Sequence, residues 1–364
     1  MHFRTAWSDY FPGSYSNNCS SQLYTGRQTP SGTAVYVSNC LFISITSGSA
    51  GGALFFYSST QYLLVESTSF FSCKTSSHAA AIYFYNTNNG QCVLQEVCCY
   101  DCWPTNNYDP QVTYIRVNDS PSSKNYANYS SFTRSFPSGS SPHYTTYHQY
   151  GKICCSSVNI SMNKCHYTSG IYCNPSSDSS SSTCSLTYST FADNIATSQI
   201  CIYLTNTGAK HEIKSCNILR NTQPLGNGGG TIYANGNLVI DYSCILENTA
   251  TRIFHQGSSS YTITLSNCTI DSTSNNGYLT TQNTVPKSFI LALNHMSTRN
   301  CHSEYDSAGT LTPIIQSPSS SNKQKLCYTF GKCLCQSRLS EFVSLLSLFI
   351  FKFIHLDTSI DSLY

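Results

Sequence analysis

The chain has 364 residues, a formal net charge of +2 and 10% charged side chains, against a usual share of about 25%. This near-neutral balance excludes the basic footprint of a nucleic-acid binder, and 13% aromatic residues exclude disorder of the charged, aromatic-poor kind. Ser, Thr, Asn and Tyr supply the polar surface, which suits β structure exposed outside the cell, where some of the 20 cysteines would pair as disulfides.

Residues 1–27 show no repeat and carry turn formers at Pro12-Gly13 and Asn17-Asn18. They are expected to form an end cap or a partial coil. No apolar leader is visible among them, so the chain is expected to be an internal fragment or an incomplete gene model. Export by another route and retention inside the cell are the alternatives. Sequons occur at Asn18, Asn118, Asn128, Asn159 and Asn267. In a chain this rich in Asn and Ser, chance supplies several, and each carries little weight.

A repeated unit begins near residue 28. SGTAVYVSNCLFISITS places a strand at Ala34–Val37 and Cys40-Leu41-Phe42 in a third-strand position. In the next unit Gly51-Gly52 makes a corner, Ala53–Tyr57 and Tyr62–Val65 are strands, and Phe70-Phe71 precedes Cys73. A third has Ala79–Ala81 in place of the glycines and turns at Asn88-Asn89-Gly90. Residues 103–151 then break the pattern with prolines, Ser, Asn and irregular Tyr, and are expected to be an inserted loop with one strand-like piece at Val112–Val117. Insertions of this kind map to one face of a solenoid, often a binding face. The bland reading is a loop with no role.

Units resume at Ile153 and are clearest from Cys201 to Thr273. There Gly229-Gly230 makes a corner, followed by strands at Thr231–Ala234 and Leu238–Tyr242 and the run Cys244-Ile245-Leu246. Each run is too short to bury a face alone, and a unit repeated in that condition signals a solenoid. Strand, turn, strand, turn, strand at near-constant register predicts an all-β, right-handed, single-stranded parallel β-helix of pectin-lyase-like form over residues 28–309. Around ten coils at ~4.8 Å spacing would make a rod on the order of 45 Å long.

From Leu311 the composition shifts. Residues 310–337 are expected to be a linker with a cysteine-containing segment. Residues 338–356 form an apolar helix, of which Leu339 to Leu356 is a candidate membrane segment, at the lower length limit and interrupted by Glu341, Lys352 and His355. The cations before it and acids after it suit an inside-to-outside orientation, opposite to an anchor for an external β-helix. A buried or capping helix and an aberrant tail are the alternatives.

Several clusters invite chemistry. Cys216, Cys244 and Cys268 recur 24 to 28 residues apart and, with Cys40 and Cys165, are expected to form a ladder of small buried thiols. Parallel Cβ vectors make disulfides difficult in such a ladder. Pairing is expected instead at off-register Cys154, Cys155 and Cys173. Cys92, Cys98, Cys99 and Cys102 include one CxxC, where a zinc ribbon needs two, so disulfides or free thiols are favoured over metal. The glycines around 226–230 lack the Lys-Ser/Thr of a phosphate loop and precede a strand, which leaves Gly51, Gly52, Gly229 and Gly230 as coil corners. Enzymes of this architecture that cut acidic polysaccharides need clustered carboxylates. Here Glu247 and Asp271, each three residues after a cysteine, are the one pair expected to be neighbours, with Arg220 and Arg252 as partners. No catalytic, cofactor or metal residue is assigned.

The units Gly51-Gly52-Ala53-Leu54 and Gly229-Gly230-Thr231-Ile232-Tyr233, each followed by a run ending in Asn-Thr or Cys-Lys-Thr, resemble the GGA[IL] and FxxN repeats of polymorphic outer membrane proteins. Most of all they resemble the β-helix surface proteins of trichomonad protists. The resemblance covers about residues 30–300 and implies a surface-exposed adhesive or structural protein, with no catalytic residues to transfer. The expected function is therefore non-catalytic: binding of a host or matrix protein or a glycan at the cell surface or outside the cell, through sheet faces and the inserted loop, with membrane association through Leu339 to Leu356. A pectin-lyase-like carbohydrate-active enzyme and a degenerate fragment without ligand are the alternatives.

Overall fold

The computed structural model describes residues 7–105, 112–135, 143–226, 229–286, 290, 291 and 293. The chain winds as a parallel β-solenoid. Its strands stack into an 11-stranded, a 10-stranded and an 8-stranded parallel sheet, here called sheets I, II and III in the order the coil visits them. Shorter three- and two-stranded ladders lie between sheets II and III. Eight coils place a strand in all three sheets, which accounts for about 8 full turns. Within the unit Gly230–Leu246 the strands are Ile232–Ala234, Leu238–Asp241 and Cys244–Leu246, close to the runs read from sequence.

Two corners repeat along the stack and have the same construction. Between sheets I and II, a residue at positive φ is followed by an inward-pointing one. Examples are Asn39 (φ 53) before Cys40, Ser215 (φ 53) before Cys216 and Asn267 (φ 53) before Cys268. Between sheet II and the next segment the same device recurs at Ser72, Asp101, Asp193, Arg220 and Glu247. One left-handed residue turns the chain sharply with few residues, at a strain of about 1–2 kcal/mol for a non-glycine side chain. Asn and Ser hold many of these positions because short polar side chains tolerate that region.

The residue after the second left-handed corner is Asn163, Asn194, Asn221 or Asn248 in successive coils. Asn163 Nδ2 donates to Asn194 Oδ1 at 3.1 Å, Asn194 Nδ2 to Asn221 Oδ1 at 3.0 Å, and Asn221 Nδ2 to Asn248 Oδ1 at 3.0 Å. This is the Asn of the FxxN pattern. Its Phe position points inward and builds a column including Phe42, Phe70, Phe132 and Phe191, all at most 1% exposed. Phe42 and Phe70 stack at 4.8 Å. Alternation within each strand sends residues such as Val35, Leu63, Ile153 and Leu238 into the same core.

One expectation is corrected. The described parts of residues 103–151 are no inserted loop. Thr113–Arg116, Lys124–Asn128, Ser131–Thr133 and Tyr144–Gln149 pair with the coils on both sides and form a complete rung. The interior here is partly polar: Thr113, Asn125, Ser130, Thr146 and His148 are all at most 1% exposed, beside Ile115, Ala127 and Phe132. These polar side chains interrupt the apolar alternation by which coils are recognised. Segments 106–111 and 136–142 lie outside the described residues. Residues 7–27 form a partial coil. Asn17–Ser20 and Leu23–Tyr24 begin the stack, and Trp7 and Phe11 lie over the outer face of sheet I against Leu64 and Val93.

No helix among the described residues is long and apolar enough to cross a membrane. The expected linker at 310–337 and apolar helix at 338–356, with Leu339 to Leu356, lie outside the described residues.

Candidate functional site: an aromatic column on sheet III

The outward residue of each sheet III strand is aromatic. Phe55, Tyr83, Tyr114, Tyr147, Tyr172, Tyr203, Tyr233 and His255 occupy one register position in successive coils. From Phe55 to Tyr172 the rings are parallel within 14°, with centroids 4.6 to 5.2 Å apart. They stand like plates across the sheet, faces against one another and edges outward. Strand spacing dictates this, because ~4.8 Å between parallel strands falls within the range for offset stacking, worth about 0.5–1.5 kcal/mol per pair beyond burial.

Beyond Tyr172 the column changes. Tyr172–Tyr203, Tyr203–Tyr233 and Tyr233–His255 meet edge to face at 84°, 81° and 77°. Tyr203 is perpendicular to both neighbours, so its face no longer points along the column. The site therefore offers two kinds of surface: a strip of phenol hydroxyls over Tyr83–Tyr172 and a turned aromatic face at Tyr203.

Cations flank the strip. Arg27 closes its first end, with the guanidinium 4.6 Å from the Phe55 ring centroid, and donates to Ala50 O and Gly51 O. Arg116 lies in the neighbouring outward column with Tyr57 and Tyr85, between the Tyr85 and Tyr150 rings at 5.1 Å from each centroid. No strand of sheet III contains Asp or Glu. Burial, followed by neighbouring phenols, pushes the Tyr83 and Tyr203 hydroxyls up to about 12, and Tyr147 is also raised, by burial and then by Tyr172. The strip is thus uncharged and hydrogen-bonding at neutral pH, with a fixed guanidinium beside it.

Sequence reasoning placed tyrosines on sheet faces without locating this column. The signal was the Ile-Tyr pair at 82–83, 171–172, 202–203 and 232–233. In each, the Ile enters the core and the Tyr faces out.

The expected cysteine ladder divides. Cys40, Cys216 and Cys268 take the inward position of the first corner, but Ser243 holds it between Cys216 and Cys268. Cys244 is one residue later and stacks on Asn217 and Thr269. Cys165 belongs to another ladder, pairing with Ala196. Coil length varies, so equal spacing in sequence is not equal register. Gly51 (φ +65) and Gly229 are corners with no room for a side chain: a Cβ would collide with Leu54 O at the first and Gln199 O at the second. Gly52 and Gly230 sit beside them, closely packed against Ala80 O and Arg252 O.

Cys154, Cys155 and Cys173, expected to form disulfides, carry thiols, as do Cys92, Cys99 and Cys102. Cys98 is disulfide-bonded. Burial raises the Cys92, Cys99 and Cys102 thiols with no cation to oppose it, which disfavours the thiolates a metal site needs. Among the described residues no group of three or more His, Cys, Asp or Glu is arranged to hold a metal ion. The neighbouring Cys173, ahead of His211, lowers the Cys184 thiol against the opposing effect of burial. All three are sealed in the core at 2% exposure or less, beyond the reach of a substrate.

The expected carboxylate pair is not in one register. Asp271 is the counterpart of Leu246 rather than of Glu247, since Thr269 pairs with Cys244. The Glu247 N–H donates to the Asp271 carboxylate at 2.5 Å. Arg220 is engaged by Asp193 through two bonds of 2.9 Å. Both contacts lie on the second corner, away from sheet III. Comparison with known proteins adds no relative: no family model, no curated protein and no solved structure matches the chain.

Proposed function

We propose that this protein is a non-catalytic β-helix, exposed at the cell surface or outside the cell, that adheres to a glycan or a protein through the outer face of sheet III. The observation that carries this reading is the unbroken aromatic column from Phe55 to His255 on a sheet face without carboxylates. A core does not require it. The inward neighbours Leu54, Ile82, Ile171 and Ile202 already fill the interior, and outward positions of a structural sheet are ordinarily mixed and polar. Phenol hydroxyls in a row suit the hydroxyls and ring oxygens of a polymer, and the turned face of Tyr203 suits an apolar sugar face or a protein side chain. Tyr and Arg are also the residues that dominate protein interfaces. The resemblance of the repeats to trichomonad surface proteins supports the location.

The test is binding of the purified chain to intact cells, extracellular matrix and a glycan array, with a Tyr172→Ala/Tyr203→Ala variant whose circular dichroism matches the parent. A loss of at least tenfold in affinity supports the reading. Equal binding by parent and variant overturns it, and unsaturated or shortened products from acidic polysaccharides would move the protein to the enzyme class. Tags at both termini, probed on intact and permeabilised cells, check the location.

A further inference from the structure

Arg116 takes the place of a ring in the second outward column of sheet III. Tyr57 and Tyr85 stack there at 5.2 Å, and Arg116 holds the next register position. Its guanidinium lies between the Tyr85 and Tyr150 rings, 5.1 Å from each centroid. Two aromatic rings cover the faces of the cation, so the edge, with its N–H donors, is what it can present. Arg116 Nη2 donates to Tyr150 Oη at 3.4 Å, and Nε is buried without a hydrogen-bond partner. The Tyr114 phenol is the other close group. These neighbours are neutral. Asp119, at the corner that follows, accepts instead from Ser176 Oγ at 2.6 Å, and among the described residues no carboxylate pairs with Arg116.

Arg27 repeats the arrangement at the first end of the sheet. Gln28 bridges Leu54, so Arg27 stands one rung before Phe55, whose ring its guanidinium meets at 4.6 Å. It donates to two backbone carbonyls, and among the described residues it too has no carboxylate partner. The backbone positions of the two arginines are three rungs apart, about 14 Å, with the Tyr57, Tyr83 and Tyr85 phenols between them.

Two held cations at an interval on one face, with hydroxyls between, complement a polymer that carries anions at intervals and hydroxyls between. The sheet's own N–H and C=O groups are spent in its ladders, so an acidic peptide would find no backbone partners on this face, whereas sugar hydroxyls meet phenols. The guanidinium edge takes two oxygens of a carboxylate or of a sulfate. Only the sulfate has a further terminal oxygen for the Tyr114 or Tyr150 hydroxyl beside it.

We propose that the ligand of sheet III is a sulfated glycan, with Arg116 as its central contact and Arg27 as a second. This rests on the reading of sheet III as the adhesive face and names the class of ligand that face takes.

The experiment is a titration of the full chain with heparin, with heparin stripped of its sulfates, and with heparin whose carboxylates are reduced to alcohols. Native and carboxyl-reduced heparin should bind alike, and the desulfated form at least tenfold more weakly. Arg116→Gln, checked by circular dichroism and thermal unfolding, should weaken heparin binding at least tenfold. Arg116→Lys should not restore it, because an ammonium has no fork. Should Arg116→Gln fail to fold, Arg27→Gln carries the test, with a severalfold loss expected. Equal affinity for native and desulfated heparin, no binding of heparin by the parent, or an unchanged affinity in the folded arginine variant overturns the proposal. A neutral glycan or a protein whose binding is lost in Tyr172→Ala/Tyr203→Ala and untouched in Arg116→Gln would also overturn it, while leaving the adhesive reading of sheet III in place.

Discussion

Asn194 and Asn221 face each other inside the second corner, with Asn194 Nδ2 donating to Asn221 Oδ1 at 3.0 Å. The same amide donates to Ile160 O at 2.8 Å, and Asn194 Oδ1 accepts from Asn163 N and Nδ2, both at 3.1 Å. A left-handed corner takes the backbone out of the ladder for one residue, so its N–H and C=O groups need other partners. The asparagine side chain supplies both kinds at once and repeats the solution in the next coil. In earlier coils this position is held by Ser135, Cys102 and Cys73, which form fewer bonds there.

Asn194→Ala should therefore cost about 3 kcal/mol, since it orphans a buried backbone donor and a buried carbonyl at ~1–3 kcal/mol each. Asn248→Ala, at the half-buried end of the row, should cost clearly less. Urea denaturation gives the totals, and native-state hydrogen exchange gives the place: the Asn163 amide should lose protection first. Equal costs at the two positions would show that the row does not act through burial.

The aromatic column makes alkaline stability a readout of its packing. Tyr83 and Tyr203 ionise near 12 in the folded chain and near 10 when unfolded. A raised folded value means that the folded state holds its proton longer. This stabilisation is complete below about pH 10 and is lost as pH rises toward about 12. A titration followed by tyrosinate absorbance should show a late-ionising group and stability falling through that window. In Tyr203→Phe, Tyr83 should still ionise late, while the fall in stability shrinks. Ionisation of all tyrosines near pH 10 with the fold intact would contradict the packing.

The fold was legible because corner chemistry and inward alternation are local. The Gly229-Gly230 corner, the two short strands after it and the run Cys244–Leu246 are visible in a single unit. What was hidden depends on register between coils. Cys216, Cys244 and Cys268 recur at similar intervals in sequence, yet Cys244 stands one step off because coils differ in length. The coil at 113–133 was hidden for another reason: Thr113, Asn125 and Ser130 occupy positions where burial was expected to demand apolar residues. The aromatic column needed only the Ile-Tyr pairs aligned, but its change from stacked to edge-to-face rings at Tyr172 is set by packing between coils and has no signature in the sequence.

Corner strain predicts an order of stabilities at Tyr188, which is left-handed (φ 51) and 51% exposed. Tyr188→Asn should be neutral or stabilising by up to about 1 kcal/mol, because Asn tolerates that region. Tyr188→Val should lose about 1 kcal/mol or more, since a β-branched side chain there is an outlier. Thermal unfolding of the two variants beside the parent decides the order. A Val variant as stable as the Asn variant would mean that the corner relaxes.

His148 makes the polar coil sensitive to acid. Its Nδ1 lies 2.8 Å from Asn125 Oδ1, and Asn125 Nδ2 donates to Gln149 O and Tyr150 O. Asn125 Oδ1 is thus the acceptor and His148 Nδ1 carries the proton. A second proton would go to Nε2, which has no hydrogen-bond partner in the core. Burial accordingly lowers this imidazole from 6.5 to about 4. With a folded value below the unfolded one, the stabilisation from neutral His148 is present above about 6.5 and is lost as pH falls toward about 4. A His148→Leu/Asn125→Val variant removes the pair together, so neither partner is left buried and unsatisfied. Its apolar side chains match the column neighbours Ile115 and Ile153. The parent should show a fall in urea midpoint between pH 6.5 and 4 and the variant should lose it, while His148→Leu alone should be less stable at every pH because Asn125 Oδ1 is stranded. If parent and double variant fall in parallel, the acid sensitivity lies elsewhere.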